Sequence, residues 1–318
     1  MRAVPKRWRT GLLAAGAAAV VAIPLTPLSA SAATAAANLN GHWAPFSRCP
    51  VDDPAMLAAD GQDLVASCVS SYSPGGAIKL GSTEATTGAN DMQFGVIQDT
   101  AAGTFKVIPP AGGALVGAPT TIPGGLLGLM CPSDIPVVSA VCQQITNVSL
   151  NKVNATVESA GAPTEFNLTA GLVTGQPIVK LPVRIHLENP LLGSNCYIGS
   201  ASDPVILRPQ NTTAPALAIE RFDGDGTPNA TEGSMLRFAL TGNTQGDATF
   251  SVPKATGCGL GGSLSWAVNL KTGLPSASGN NHLTLNNAST YSGALTAPGL
   301  VLPDAGKVLS RNWHSAVK

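Results

Sequence analysis

Histidine is scarce in this chain: there are four in 318 residues, and no Cys-x-x-Cys pair accompanies them. A tetrahedral zinc site has little to draw on, because it needs His and Cys at close spacing. His42, His282 and His314 lie far apart, so a three-histidine centre would require distant loops to converge. The Gly-x-Ser-x-Gly elbow that presents a nucleophilic serine is absent too. Charged residues amount to 11 % and form no Lys or Arg cluster beyond residue 9, which excludes nucleic acid as a partner. Aromatics amount to 4 %, leaving Trp43, Trp266, Trp313, Tyr72, Tyr197 and Tyr291 as the few candidates for a sugar platform or for the core. Runs of Lys, Glu and Leu at helical spacing are nearly missing, which argues against a helical domain.

What is present begins with a leader. Residues 1–32 carry Arg2, Lys6, Arg7 and Arg9 ahead of the apolar GLLAAGAAAVVAIPL, and Ala30-Ser31-Ala32 supplies small residues for cleavage. Pro24 interrupts the apolar run, which falls short of the roughly 20 residues a membrane span needs. Export is therefore expected, with no second long apolar segment to hold the mature chain in a membrane. Removing the leader takes four of the 18 basic residues and none of the 18 acids, so 14 stand against 18 and the net charge becomes −4.

Cys49, Cys68, Cys131, Cys142, Cys196 and Cys258 all lie in the exported part, where an oxidising compartment favours pairing. Six cysteines allow 15 connectivities. Local spacing favours Cys49 with Cys68, Cys131 with Cys142 and Cys196 with Cys258. Around them, short β-branched or alternating runs are punctuated by Gly, Pro and Asn: DLVASCVSS, MQFGVIQ, VNATVES, EFNLTAGLV, PIVKLPVRIHLE, SMLRFALTG, ATFSVP and HLTLNN among a dozen. This pattern predicts a mainly β, antiparallel sandwich-like fold with one or two short helices. The helices are expected around Cys131 and Cys142 and in LGGSLSWAVNLKTGLPS, where Gly273 and Pro275 would stop the second. Residues 109–125, PPAGGALVGAPTTIPGG, either divide an N-terminal β region, 33–125, from a larger β domain, 126–318, or run as a long loop across one domain.

Three stretches, FSRCPVDDPAMLAADGQDLVASCVSS with KLGST, LPVRIHLENPLLGSNCYIGS, and VNLKTGLPSASGNN, together resemble a family of secreted actinobacterial proteins without assigned function. The likeness covers most of the chain beyond residue 32. It implies secretion and a disulfide-bonded, mostly β architecture, and it carries over no catalytic or ligand residue.

Arg184, His186 and Glu188 alternate with Val183, Ile185 and Leu187, so on a strand they share one polar face. The plainer expectation is a solvated or cross-strand-paired face. The alternative is a secreted hydrolase assembled from distant loops and using His186 with Glu188. In RFDGDGTPNATEG, Asp223, Asp225 and Glu232 suggest a calcium-stabilised binding module, but Thr227 stands where a further ligand is needed, and an Asp-Gly turn accounts for the glycines. Asp52-Asp53 gives no separation suited to glycoside hydrolysis. No catalytic, cofactor or metal set is assigned. The expectation is an extracellular or envelope-associated, non-enzymatic structural or binding protein whose partner is an unidentified envelope component.

Overall fold

Alternation over 181–188 sets the pattern for the whole molecule. In the computed structural model, which describes residues 36–130, 151–296 and 304–318, Val183, Ile185 and Leu187 are buried while Arg184 and His186 stand on the opposite face of the strand. The described strands are β1 (Leu64–Ser73), β2 (Gly75–Leu80), β3 (Thr83–Thr87), β4 (Asn90–Asp99), β5 (Thr104–Ile108), β6 (Leu115–Gly117), β7 (Thr120–Thr121), β8 (Asn154–Ser159), β9 (Leu181–Glu188), β10 (Tyr197–Ile198), β11 (Val205–Leu207), β12 (Gln210–Asn211), β13 (Ala216–Phe222), β14 (Met235–Asp247), β15 (Ala255–Thr256) and β16 (His282–Thr296). Their ladders are antiparallel and run in the order β12-β14-β16-β1-β4-β6-β8-β9-β10-β15.

The sheet curls because β16 changes partner along its length. Residues 282–286 pair with β2, and residues 289–293 pair with β1. Between them Asn287 takes a left-handed backbone (φ 47°), and the register against β14 shifts twice nearby. An irregularity of this kind bends a strand and increases its twist. The result brings Ile78 and Leu80 of β2, Ala85 of β3 and Leu283 of β16 against Val183, Ile185 and Leu187 of β9 in the largest apolar cluster. Residues 109–125 contribute β6 and β7 to this sheet, with Leu115 and Ile122 in the same cluster.

Four α-helices are found among the described residues: α1 (Pro54–Leu57), α2 (Gly125–Met130), α3 (Ser265–Thr272) and α4 (Ala305–Ser315). Gly273 ends α3 in the left-handed conformation (φ 67°), the stop its sequence position predicts. Asp53 caps α1 by accepting from the Ala55 amide at 2.8 Å, with Pro54 at the first helical position. The two ends of the described chain meet, since the Lys318 amide donates to the Asn38 carbonyl and Leu39 bridges Val317.

Both described disulfides follow the expected pairing, Cys49 with Cys68 and Cys196 with Cys258. Cys131 and Cys142 lie outside the described residues. Two expected strands are not formed. EFNLTAGLV instead holds a 3-10 turn, Thr169–Leu172, because Glu165 takes a positive φ and the Asn167 side chain accepts from the Ala170 amide. ATFSVP makes only a single bridge, Val252 to Ser276. No helix among the described residues is long and apolar enough to cross a membrane.

Candidate functional site

The strand carrying His186 is flanked by β8 on one side and β10 on the other, and these neighbours decide what its polar row does. Glu158 lies directly opposite Arg184, and Thr156 and Tyr197 lie opposite His186. Arg184 donates to Glu158 Oε2 from Nε at 3.1 Å and Nη2 at 2.9 Å, and its guanidinium sits 4.3 Å from the Tyr197 ring centroid. The His186 ring stacks on the same tyrosine at 4.5 Å. Its Nε2 lies 3.1 Å from the Ser194 carbonyl, an acceptor, so this nitrogen carries a proton. Nδ1 faces Glu158 at 3.5 Å and Glu188 at 3.8 Å. The imidazole nitrogens thus face a neighbouring strand through Glu158, the same strand through Glu188 and the following turn through Ser194, and none of these partners is a hydroxyl or thiol to be activated. The row behaves as a set of cross-strand pairs.

The aspartates of 223–232 are spent on their own turn. Asp225 Oδ1 accepts from the Thr227 amide at 2.9 Å, which holds its carboxyl below the usual range, and Asp223 Oδ1 accepts from Asn229 Nδ2 at 2.9 Å. Among the described residues no three His, Cys, Asp or Glu side chains converge as a metal site would require.

Asp52 has a structural task of its own. It receives Ser310 Oγ at 2.7 Å and His314 Nε2 at 3.0 Å, two residues one helical turn apart on α4. Partial burial pushes the Asp52 carboxyl up, but the hydrogen bonds from Ser310 and His314 and the imidazole charge outweigh it and leave the group below its ordinary value. A carboxyl lowered in the fold stabilises fully above its unfolded value, about 4, and that contribution is lost as pH falls through the folded value. Acidification below about 4 is therefore expected to loosen α4. The Trp313 indole N–H, which donates to the Phe46 carbonyl at 2.9 Å, reports it: its NMR resonance should shift with acid in the wild type and stay flat in Asp52→Asn. Equal acid dependence in both would remove Asp52 from the account.

The feature that composition did not reveal is apolar. Around the Cys196–Cys258 bridge, Leu191 is 54 % exposed, Leu260 96 %, Trp266 68 % and Leu270 77 %. Their placement follows from local structure. The Gly259 amide donates to the Leu192 carbonyl at 2.7 Å, which sets Leu260 beside the turn holding Leu191. The Leu264 amide returns to the Cys258 carbonyl at 2.8 Å and starts α3. Ala267, Val268 and Thr272 form the inward face of this helix, so Trp266 and Leu270, four residues apart, project outward. Asn269 fixes the helix to β15 by exchanging hydrogen bonds with the Ala255 amide (2.6 Å) and carbonyl (3.0 Å). Leu260 thus lies beside the Leu191 turn, and Trp266 with Leu270 shares the outward face of α3, each a large apolar side chain left exposed.

No protein-family model matches the chain, and neither a curated protein nor a solved structure matches it.

Proposed function

We propose that this chain is a secreted, non-enzymatic binding protein of the cell envelope, in which a disulfide-tied β scaffold presents an apolar surface to an envelope component. The observation that carries this reading is the exposure of Leu191, Leu260, Trp266 and Leu270 around one disulfide. Burying side chains of this size on a partner contributes on the order of 1.5–3 kcal/mol each when complete. The leader and the paired cysteines support export, since disulfides persist in oxidising compartments. His186 is held by the Tyr197 ring, Glu158 and the Ser194 carbonyl, with no hydroxyl or thiol against its ring nitrogens, which favours binding over chemistry.

Fractionation of an exporting host tests the reading. The protein should sediment with the envelope, and the Trp266→Ala, Leu270→Ala variant should move to the medium with its melting temperature unchanged. Wild-type protein found free in the medium, with no affinity for isolated envelopes, would sink it.

A further inference from the structure

Charge tells more about what covers the apolar surface. Beyond residue 32 the chain carries more acid than base, yet no Asp or Glu occurs anywhere from Ala248 to Pro303. The turn 189–200 that bears Leu191 carries no charged residue, with Glu188 before it and Asp203 after it as the flanking acids. Two cations adjoin these residues in the chain: Lys254 is exposed and precedes the Ala255 that Asn269 grips, and the half-buried Lys271 follows Leu270 on α3. Among the described residues neither lysine has a carboxylate partner. Glu84, two residues from the Ser82 whose hydroxyl donates to the Lys271 carbonyl, stands 3.9 Å from His282. An outward-facing tryptophan and leucines with unpaired lysines close by in the chain match an interface where apolar chains lie beneath anionic headgroups.

Resting on the envelope-binding reading above, we infer that this surface docks on an anionic phospholipid bilayer. Trp266, Leu270, Leu260 and Leu191 enter the headgroup region, and Lys254 and Lys271 face lipid phosphates. The attachment is peripheral and reversible, since a few side chains enter and no helix among the described residues spans.

Flotation of the full chain with two kinds of vesicle tests it, one of phosphatidylcholine alone and one with about a third phosphatidylglycerol. Every variant carries the same residues 1–32 as the wild type, so a fall in partition between them reports the surface. The wild type should partition to the anionic vesicles. Trp266→Ser with Leu270→Ser should lower that partition about thirtyfold. Lys254→Gln with Lys271→Gln should lower it about tenfold on anionic vesicles and leave phosphatidylcholine binding unchanged. Added salt should act on the wild type as the lysine changes do. Unchanged melting temperatures would exclude misfolding as the cause. An unaffected Trp266→Ser, Leu270→Ser variant, or a wild type that ignores both vesicles, would overturn the inference. Envelope sedimentation without vesicle binding leaves the broader reading standing and removes the lipid, and failure of both removes both. Concentration-dependent self-association abolished by the same variant, without vesicle binding, would assign the surface to a second copy of the chain and overturn the lipid inference.

Discussion

Replacing Cys196 and Cys258 together by Ala should lower stability by about 4 kcal/mol, more than any change confined to the surface. The two residues are 62 apart, and closing a loop of that length removes that much conformational freedom from the unfolded chain in the loop-entropy treatment. Both cysteines are fully buried in the largest apolar cluster, beside Leu192, Ile198, Ala255 and Val268, so the lost sulfurs also leave unfilled space. Against a total stability of about 5–15 kcal/mol this is a large fraction, equivalent to a fall of about 10 °C in melting temperature for a domain of this size. The Cys49–Cys68 bridge closes 19 residues, and its removal should cost less, about 3 kcal/mol. Urea unfolding of the two double-Ala variants measures the order. The reverse order would mean that native packing, rather than loop closure, decides what each bridge contributes. Loss of the longer bridge has a second consequence, because it releases the turn at Leu191 from the turn at Leu260. Vesicle binding should therefore fall with it, and should survive loss of Cys49–Cys68.

The framework was more legible than the surface. Alternation in LPVRIHLE declared both the strand and its buried side, because a one-residue slip would expose three large aliphatics. Cysteine spacing favoured the two pairs that the described residues form. EFNLTAGLV misled because β-like composition was overridden by an Asn side chain that satisfies backbone amides locally. The C-terminal helix α4 was missed. Its inward face needs only Gly306, Leu309 and Ser310, and much of its docking is polar, through Ser310, Trp313 and His314, so few large aliphatic side chains marked it in the sequence. The exposed surface was hidden for a different reason. Leu191, Leu260 and Leu270 look like ordinary core residues until their neighbours are known to fill the core without them. In SWAVNLKT the pattern alone would seat Trp266 and Leu270, four apart, against the core, and only the burial of Ala267, Val268 and Thr272 turns them outward.

Trp43→Ala should cost about 4 kcal/mol, and the reason separates it from the other tryptophans that the sequence offered as sugar platforms. Its side chain is fully buried, meeting Phe222 edge-on at 5.6 Å and Phe46 at 6.1 Å, and the indole N–H donates to the Gly224 carbonyl at 2.8 Å. The chain is drawn tight here, for a Cβ at Gly41 (φ 47°) would stand only 1.9 Å from the Gly226 carbonyl oxygen, so the backbone cannot settle further to fill a void. Removing the ring forfeits its burial and two edge-to-face contacts worth about 0.5–1.5 kcal/mol each. The Gly224 carbonyl keeps a donor in Ser315 Oγ at 3.2 Å, so the loss is mainly one of packing. Trp43→Phe, which retains an aromatic ring, should therefore cost only about 1–2 kcal/mol. The surrounding cluster also holds Leu39, Val51, Met56, Phe222, Met235 and Leu309, joining the first described residues to β13, β14 and α4. Loosening should appear first at α4, where the Trp313 indole resonance would broaden before the β-sheet signals change. A Trp43→Ala protein with an unchanged melting temperature would show that this cluster closes around the void, and that the ends of the chain are held by Asp52, Ser310 and His314 instead.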